Sequence, residues 1–290
     1  MNRKKQLKEL TLKDNFMFGA VMMEEENCKR FLEIALGFPI ERVEVSKEKS
    51  IVYHPEYKGV RLDVYAKDEK STRYNVEMQV VKKPALGKRV RYYHGQIDME
   101  LLLSGSDYTE LPDVYVIFIC DFDPFGDKKY RYTFTRYCEE DRDLCLQEGC
   151  KSIFLSTCGE NDEEVPEELI KFLRFVKADL DESELDFEDD FVARLQKTIQ
   201  RIKRSREMEE RFMIFEEMLR DERAEGRAEG KTEGKAESIL ELLEELGTIP
   251  EDVQARIMNE KNLETLTQWL RLAAKADSFE EFLNNIQKSM

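Results

Sequence analysis

The sequence predicts an α/β protein, a mixed sheet flanked by helices and followed by a helical C-terminal region. Three stretches carry this expectation. Residues 113–122, DVYVIFICDF, form a nearly continuous apolar and β-branched run, the pattern of a strand buried on both faces. Residues 60–67 and 74–80 alternate apolar and polar side chains and are joined by the polar turn KDEKST, which reads as a hairpin. From about residue 188 the apolar positions recur at helical spacing.

The elements follow in chain order. Residues 11–36 place Phe16, Val21, Phe31, Ile34 and Ala35 near helical spacing, with a break near Glu25, and Gly37 and Pro39 close the segment. Strand-like runs at about 42–53, 60–67 and 74–80 come next. A helix is expected from Leu86 to about Ser104, basic and aromatic at its start (KRVRYYHGQ), apolar at its end (IDMELLL) and stopped by Gly105. The 113–122 strand completes the order helix, three strands, helix, strand. Short strands are expected within 130–158, a helix at EELIKFLRFV inside an acidic stretch, and a long amphipathic helix over about 188–222. The repeat RAEG RAEG KTEG KAES, residues 223–238, would stack Glu225, Glu229 and Glu233 on one helical line and Arg223, Arg227, Lys231 and Lys235 on another. Like charges at i,i+4 and a glycine costing about 1 kcal/mol relative to Ala at each repeat leave a flexible linker or a helix-pairing segment open. Short amphipathic helices fill 239–290, with Thr248 and Ser278 as helix starts.

Composition narrows the class. The chain has 290 residues, 41% of them hydrophobic, enough for a full core. No run approaches the roughly 18–20 apolar residues of a membrane span. The start, MNRKKQLKEL, lacks an apolar segment behind its charges, so no signal peptide and a cytoplasmic location are expected. Six cysteines show no C-x-x-C spacing, and His54 and His94 lie far from the four that cluster at 138–158; reduced thiols are expected rather than a zinc site. The net charge of −16 is uneven: residues 1–110 hold 20 Lys and Arg against 18 Asp and Glu, whereas 111–290 hold 26 against 44. The N-terminal half can therefore face a polyanion.

Two acids stand out on the hairpin, Asp63 in GVRLDVY and Glu77 in YNVEMQV. Strand alternation puts Asp63 on a face with Arg61 and Tyr65, and Glu77 on a face with Asn75 and Gln79. Paired strands bring the acids together on one polar face. Close carboxylates raise each other's pKa unless a cation lies between them, and Mg²⁺ suits such a pair because it takes one or two carboxylates and keeps its other positions for water or phosphate. The plain alternative is an exposed hairpin face that needs polar residues in any case. The segment KKPALGKRVRYYHGQ then combines Lys82, Lys83, Lys88, Arg89 and Arg91 with Tyr92 and Tyr93, cations for phosphates and rings for stacking, with one tyrosine expected in the core. His94 is expected to be partly buried and structural.

The segments LTLKDNFMFGAVM, RLDVYAKDEKSTRYNVEMQ and RVRYYHGQIDMELLLSGSDYTELPDVYVIFICDFDPF, with CEEDRDLCLQEGCKSIFLST and REMEERFMIFEEML, resemble the PD-(D/E)XK nuclease family of transposases, the Rpn-type recombination-promoting nucleases, over nearly the whole chain. The resemblance implies a restriction-endonuclease-like αβββαβ core and Mg²⁺-dependent cleavage of DNA, with Mn²⁺ as an alternative ion. By motif match Asp63 and Glu77 are the metal-binding acids, and Gln79 stands where the wider superfamily has a catalytic lysine. Gln79 carries no charge, so Arg89 or Arg91, with Lys82 behind them, are the candidate substitutes. Gln96 joins Lys82, Lys83, Lys88, Arg89, Arg91 and Tyr92 as a DNA-contacting residue, because related nucleases carry a Gln and Tyr pair on this helix. Asp14 is either a third acid or, more simply, a helix cap. The expected organisation is a nuclease-like core at 1–158, an acidic and helical extension at 159–222, the repeat at 223–238 and a helical appendage at 239–290, with a homodimer through the C-terminal helices. The competing expectation is a nuclease fold retained as a DNA-binding or interaction module, motivated by the missing lysine and the acidic C-terminal half.

Overall fold

The computed structural model describes residues 5–46, 49–51 and 60–288. Helices α1 (Asn15–Met22) and α2 (Glu25–Leu36) are separated by the expected break, and Gly37 ends α2 in the left-handed region at φ 81°. A six-stranded mixed sheet follows, built from β1 (Val43–Ser46), β4 (Val64–Asp68), β5 (Arg73–Gln79), β6 (Val114–Cys120), β7 (Arg131–Phe134) and β8 (Cys150–Ser156). Its spatial order is β1-β4-β5-β6-β8-β7. The β4–β5 pair is the antiparallel hairpin read from the sequence, with Val64 opposite Val76 and Tyr65 opposite Asn75. Helix α3 (Leu86–Leu101) then carries the chain over one sheet face into β6, which runs parallel to β5. All seven residues of β6 are buried, as a central strand requires.

Two strands expected as single runs are interrupted. The 42–53 run yields β1 and a separate β2 (Lys49–Ile51), and its end, with His54, lies outside the described residues. The 60–67 run yields β3 (Val60–Leu62), which pairs with β2 in a two-stranded ribbon, and β4. Asp63 is the residue between β3 and β4.

The sheet is covered on both faces. On one side Tyr65, Val116, Phe118, Cys120 and Phe154 pack under Val90, Tyr93 and Ile97 of α3. The alternate residues, Val64, Val76, Ile117, Ile119 and Leu155, are also buried. Helices α4 (Glu167–Lys177) and α5 (Asp190–Arg204) belong with α1 and α2, through ring contacts of Phe172 with Phe31 at 5.1 Å and with Phe191 at 5.9 Å. Both helices bury an apolar face here, and the first compact unit runs to Phe212.

The long helix expected over 188–222 is broken at Ser205, whose backbone is extended at φ −85° and ψ 121°. Asp189 caps α5 by accepting from Val192 N at 2.9 Å. Helix α6 (Arg206–Glu244) then runs without interruption through the whole 223–238 repeat. The second unit, from Met213, adds α7 (Glu251–Asn259), α8 (Leu263–Ala273) and α9 (Phe279–Lys288). These close a separate core around Ile239, Leu243, Ile257, Leu266, Trp269 and Phe282. Ser278 starts α9 as expected, accepting from Glu281 N at 3.2 Å, whereas the N-cap of α7 is Pro250 rather than Thr248.

Candidate active site

Asp63 occupies a bend, and the bend resets the strand's alternation. Leu62 and Tyr65, three residues apart, both join the core beneath α3, whereas a continuous strand would point them to opposite faces. One residue is thus inserted into the alternation, as in a β-bulge, a device that re-aims a side chain. The expectation that Asp63 sits within a regular strand is corrected accordingly. Its Oδ2 accepts from Met78 N at 3.1 Å, which ties the bend to β5, and its own N–H faces Glu77 Oε1 at 3.4 Å.

Asn75, Glu77 and Gln79 line the face of β5 that α3 covers, buried at 0%, 1% and 7% exposure. Three adjacent polar side chains under a helix carry a desolvation cost unless they bond to one another. Arg89, from the first turn of α3, meets that need. Its Nη2 donates to Glu77 Oε2 at 2.9 Å, its Nη1 to Gln79 Oε1 at 2.8 Å, and its Nε to the Tyr93 hydroxyl at 2.9 Å. The guanidinium lies 5.1 Å from the Tyr93 ring centre and 5.3 Å from that of Phe118. Spacing at i,i+4 on α3 puts Arg89 and Tyr93 on one side of the helix. Asn75 Nδ2 donates to Glu77 Oε1 at 3.3 Å, while the buried Oδ1 of Asn75 has no partner among the described residues.

The electrostatics follow from this geometry. Burial first, and the charge of Asp63 second, push the Glu77 carboxyl up to about 8, against the opposing pull of Arg89. Burial likewise lifts the Tyr93 hydroxyl to about 12. Glu77 thus sits in a dry site with one guanidinium beside it and the charge of Asp63 opposing it, and a further cation is what would let both acids ionise.

The donor set suits a hard divalent ion. The adjacent carboxylates of Asp63 and Glu77 offer oxygen ligands, and among the described residues no group of three or more His, Cys, Asp or Glu is placed to hold a metal. An ion that takes two protein carboxylates and fills its remaining positions from water and phosphate matches that set, and Mg²⁺ behaves in this way. A structural zinc site draws four ligands, mostly from Cys and His, and two carboxylates alone do not supply that set; the six cysteines are free thiols.

The other expected residues divide by position. Lys82, Lys83, Lys88 and Arg91 are exposed, and Tyr92 is 36% exposed, around the loop that enters α3. Gln96 is buried, on the same inward side of α3 as Arg89 and Tyr93, so its place differs from that of the exposed cations. Tyr93 is the tyrosine that enters the core. His94 is half-buried with Nε2 3.1 Å from Ser152 Oγ, and burial, helped by Arg136, pushes its pKa down to about 4. Asp14 takes the N-cap position of α1, but its carboxylate bonds backward, to Thr11 N at 2.8 Å and Lys5 Nζ at 2.7 Å, instead of capping forward. The sequence reading missed Asn75 and Tyr93 as parts of the polar cluster. Asn75 was signalled by sharing the Glu77 face, and Tyr93 only by its i,i+4 spacing from Arg89.

No curated protein and no solved structure matches the chain. A family model does, over residues 12–229, a span that holds the hairpin, α3, the central strands and most of α6. The fold, with its acids at the bend and on β5, and this match together lead to one conclusion: the chain belongs to the PD-(D/E)XK nuclease family of transposases.

Proposed function

We propose that the protein is a DNA endonuclease dependent on Mg²⁺ or Mn²⁺, in which Asp63 and Glu77 hold the ion and Arg89 supplies the positive charge that Gln79 cannot. The observation that carries this reading is the buried Glu77, which accepts from Arg89 at 2.9 Å and faces the backbone N–H of Asp63 at 3.4 Å. When bound, the ion would polarise a phosphodiester and ease ionisation of the attacking water. The remaining work falls to the chain's own groups. Arg89 stands beside the acids, its fork fixed by Gln79 and Tyr93, where it can meet a phosphate oxygen as negative charge grows. Gln79 acts as an acceptor that aims Arg89. Lys82, Lys83, Lys88 and Arg91, with Tyr92, are suited to gripping the DNA backbone at the entrance to α3, and Gln96 to a contact nearer the cluster.

The same reading extends to a homodimer through α6. Gly226, Gly230 and Gly234 form an exposed line with open space where each Cβ would be. The glutamates flank it on one side and Arg223, Arg227 and Lys231 on the other. A two-fold axis along the helices sets each acidic row against the partner's basic row. An axis across them sets Glu against Glu, so the parallel arrangement is favoured.

Supercoiled DNA incubated with the protein and Mg²⁺ tests the enzymatic reading. Nicking or linearisation by the wild type and none by Asp63→Asn or Glu77→Gln is the expected result. Salt-dependent binding with no cleavage by any of the three would instead favour a DNA-binding module.

A further inference from the structure

The acidic half of the chain contains one stretch of opposite character. Residues 191–206, FVARLQKTIQRIKRSR, hold six Lys or Arg and no acid. They form α5 and the break at Ser205, and Lys197, Gln200, Arg201, Arg204 and Ser205 line a shallow, open surface cleft along the end of α5. The opposite face of α5, with Phe191, Leu195, Ile199 and Ile202, is buried, so the cationic face is the solvent side.

The simplest alternative is that these cations only offset the helix dipole, since Arg201, Lys203 and Arg204 lie in the last turn. Their partners argue otherwise. Arg201 is paired with Glu24, and Lys203 is half-buried, with its pKa lowered by burial. Lys197 lies upstream of the last turn, and neither it nor Arg204 has an acidic partner among the described residues, in a chain with 62 Asp and Glu against 46 Lys and Arg. Where acids are in excess, two exposed cations left unpaired beside neutral donors form a surface that suits an external anion. Seven residues at about 1.5 Å rise separate Lys197 from Arg204 by about 10 Å, a reach of about three phosphates at 3.4 Å of axis each. Gln200 and Ser205 add amide and hydroxyl donors suited to phosphate oxygens.

We infer that the α5 cleft is a second DNA-backbone site, separate from the cations around α3, at which Lys197 and Arg204 neutralise duplex phosphates. This deepens the DNA-directed reading above and rests on it. The test uses the full chain carrying Asp63→Asn, which removes cleavage, and measures binding of a labelled duplex against NaCl concentration. Adding Lys197→Gln and Arg204→Gln is expected to weaken binding about tenfold or more and to make the slope of log K against log salt shallower by about 2. Both substitutions are on exposed positions, and an unchanged melting curve checks the fold. Unchanged affinity and slope would overturn the inference, as would a loss confined to anionic vesicles or to an RNA hairpin. If the parent chain itself shows no salt-dependent binding, the DNA-directed reading fails with it, and that result is distinct from failure of the cleft alone.

Discussion

At the scale of single residues, Arg89 carries the most distinctive chemistry, because it bonds at once to a metal-ligand candidate, to the residue at the lysine position and to a buried tyrosine. Arg89→Ala is expected to slow plasmid cleavage by about 100-fold or more, the scale of losing one charge-stabilising group. Adding Gln79→Lys should return part of that loss, since the lysine would reach the same phosphate from β5. If the double variant is no better than the single one, Arg89 serves only to neutralise Glu77. His94 supplies a separate test in pH. Its folded pKa of about 4 lies below the ordinary 6.5, so the unfolded chain takes up a proton first as pH falls. The stability this group contributes is therefore present above 6.5 and lost between 6.5 and about 4, by roughly 2–3 kcal/mol. Urea unfolding across that window should show the steeper fall in the wild type and a flatter one in His94→Asn.

At the scale of elements, the hairpin, α3 and β6 were legible because each has a single dominant pattern: alternation, helical spacing and continuous apolarity. The bend at Asp63 was not, since a one-residue reset of alternation leaves the apolar count of 60–67 unchanged and appears only when Leu62 and Tyr65 meet in one core. The stop at Ser205 was hidden for a similar reason, because apolar spacing continues across it. Helix α6 shows the opposite limit. Glycine at every fourth position argued for coil as well as for helix, and the structure settles on one 39-residue helix. Replacing Gly226, Gly230 and Gly234 together by Ala should raise the helix's own stability by up to about 1 kcal/mol per site, as the added methyls meet open space. The same methyls would fill the proposed groove between copies. Sedimentation should then show a dimer for the wild type and a monomer for the triple variant; a variant that stays dimeric would place the contact elsewhere.

At the scale of the whole molecule, two separate cores and uneven charge define the protein. The unit from Met213 encloses the chain's one tryptophan, Trp269, at 3% exposure. Its fluorescence therefore follows that unit alone, while far-ultraviolet dichroism follows all helices. Thermal melts by the two probes are expected not to coincide, and Trp269→Ala should lower only the C-terminal transition, at a cost of about 3–5 kcal/mol. The net −16 is unevenly placed, with cations gathered around the start of α3 and on α5. That distribution could be read only in part from the sequence: the α3 cluster stood out beside aromatic residues, whereas the α5 cations gained meaning once one helix face was seen to be buried and the other to line a cleft.

Calorimetric titration with Mn²⁺, at a pH above that at which Glu77 ionises, reads whether Asp63 and Glu77 together hold one divalent ion. One ion per wild-type chain is expected, lost in both Asp63→Asn and Glu77→Gln while the melting curve is kept. Binding that survives unchanged in either variant, or no binding in the wild type, would contradict the account.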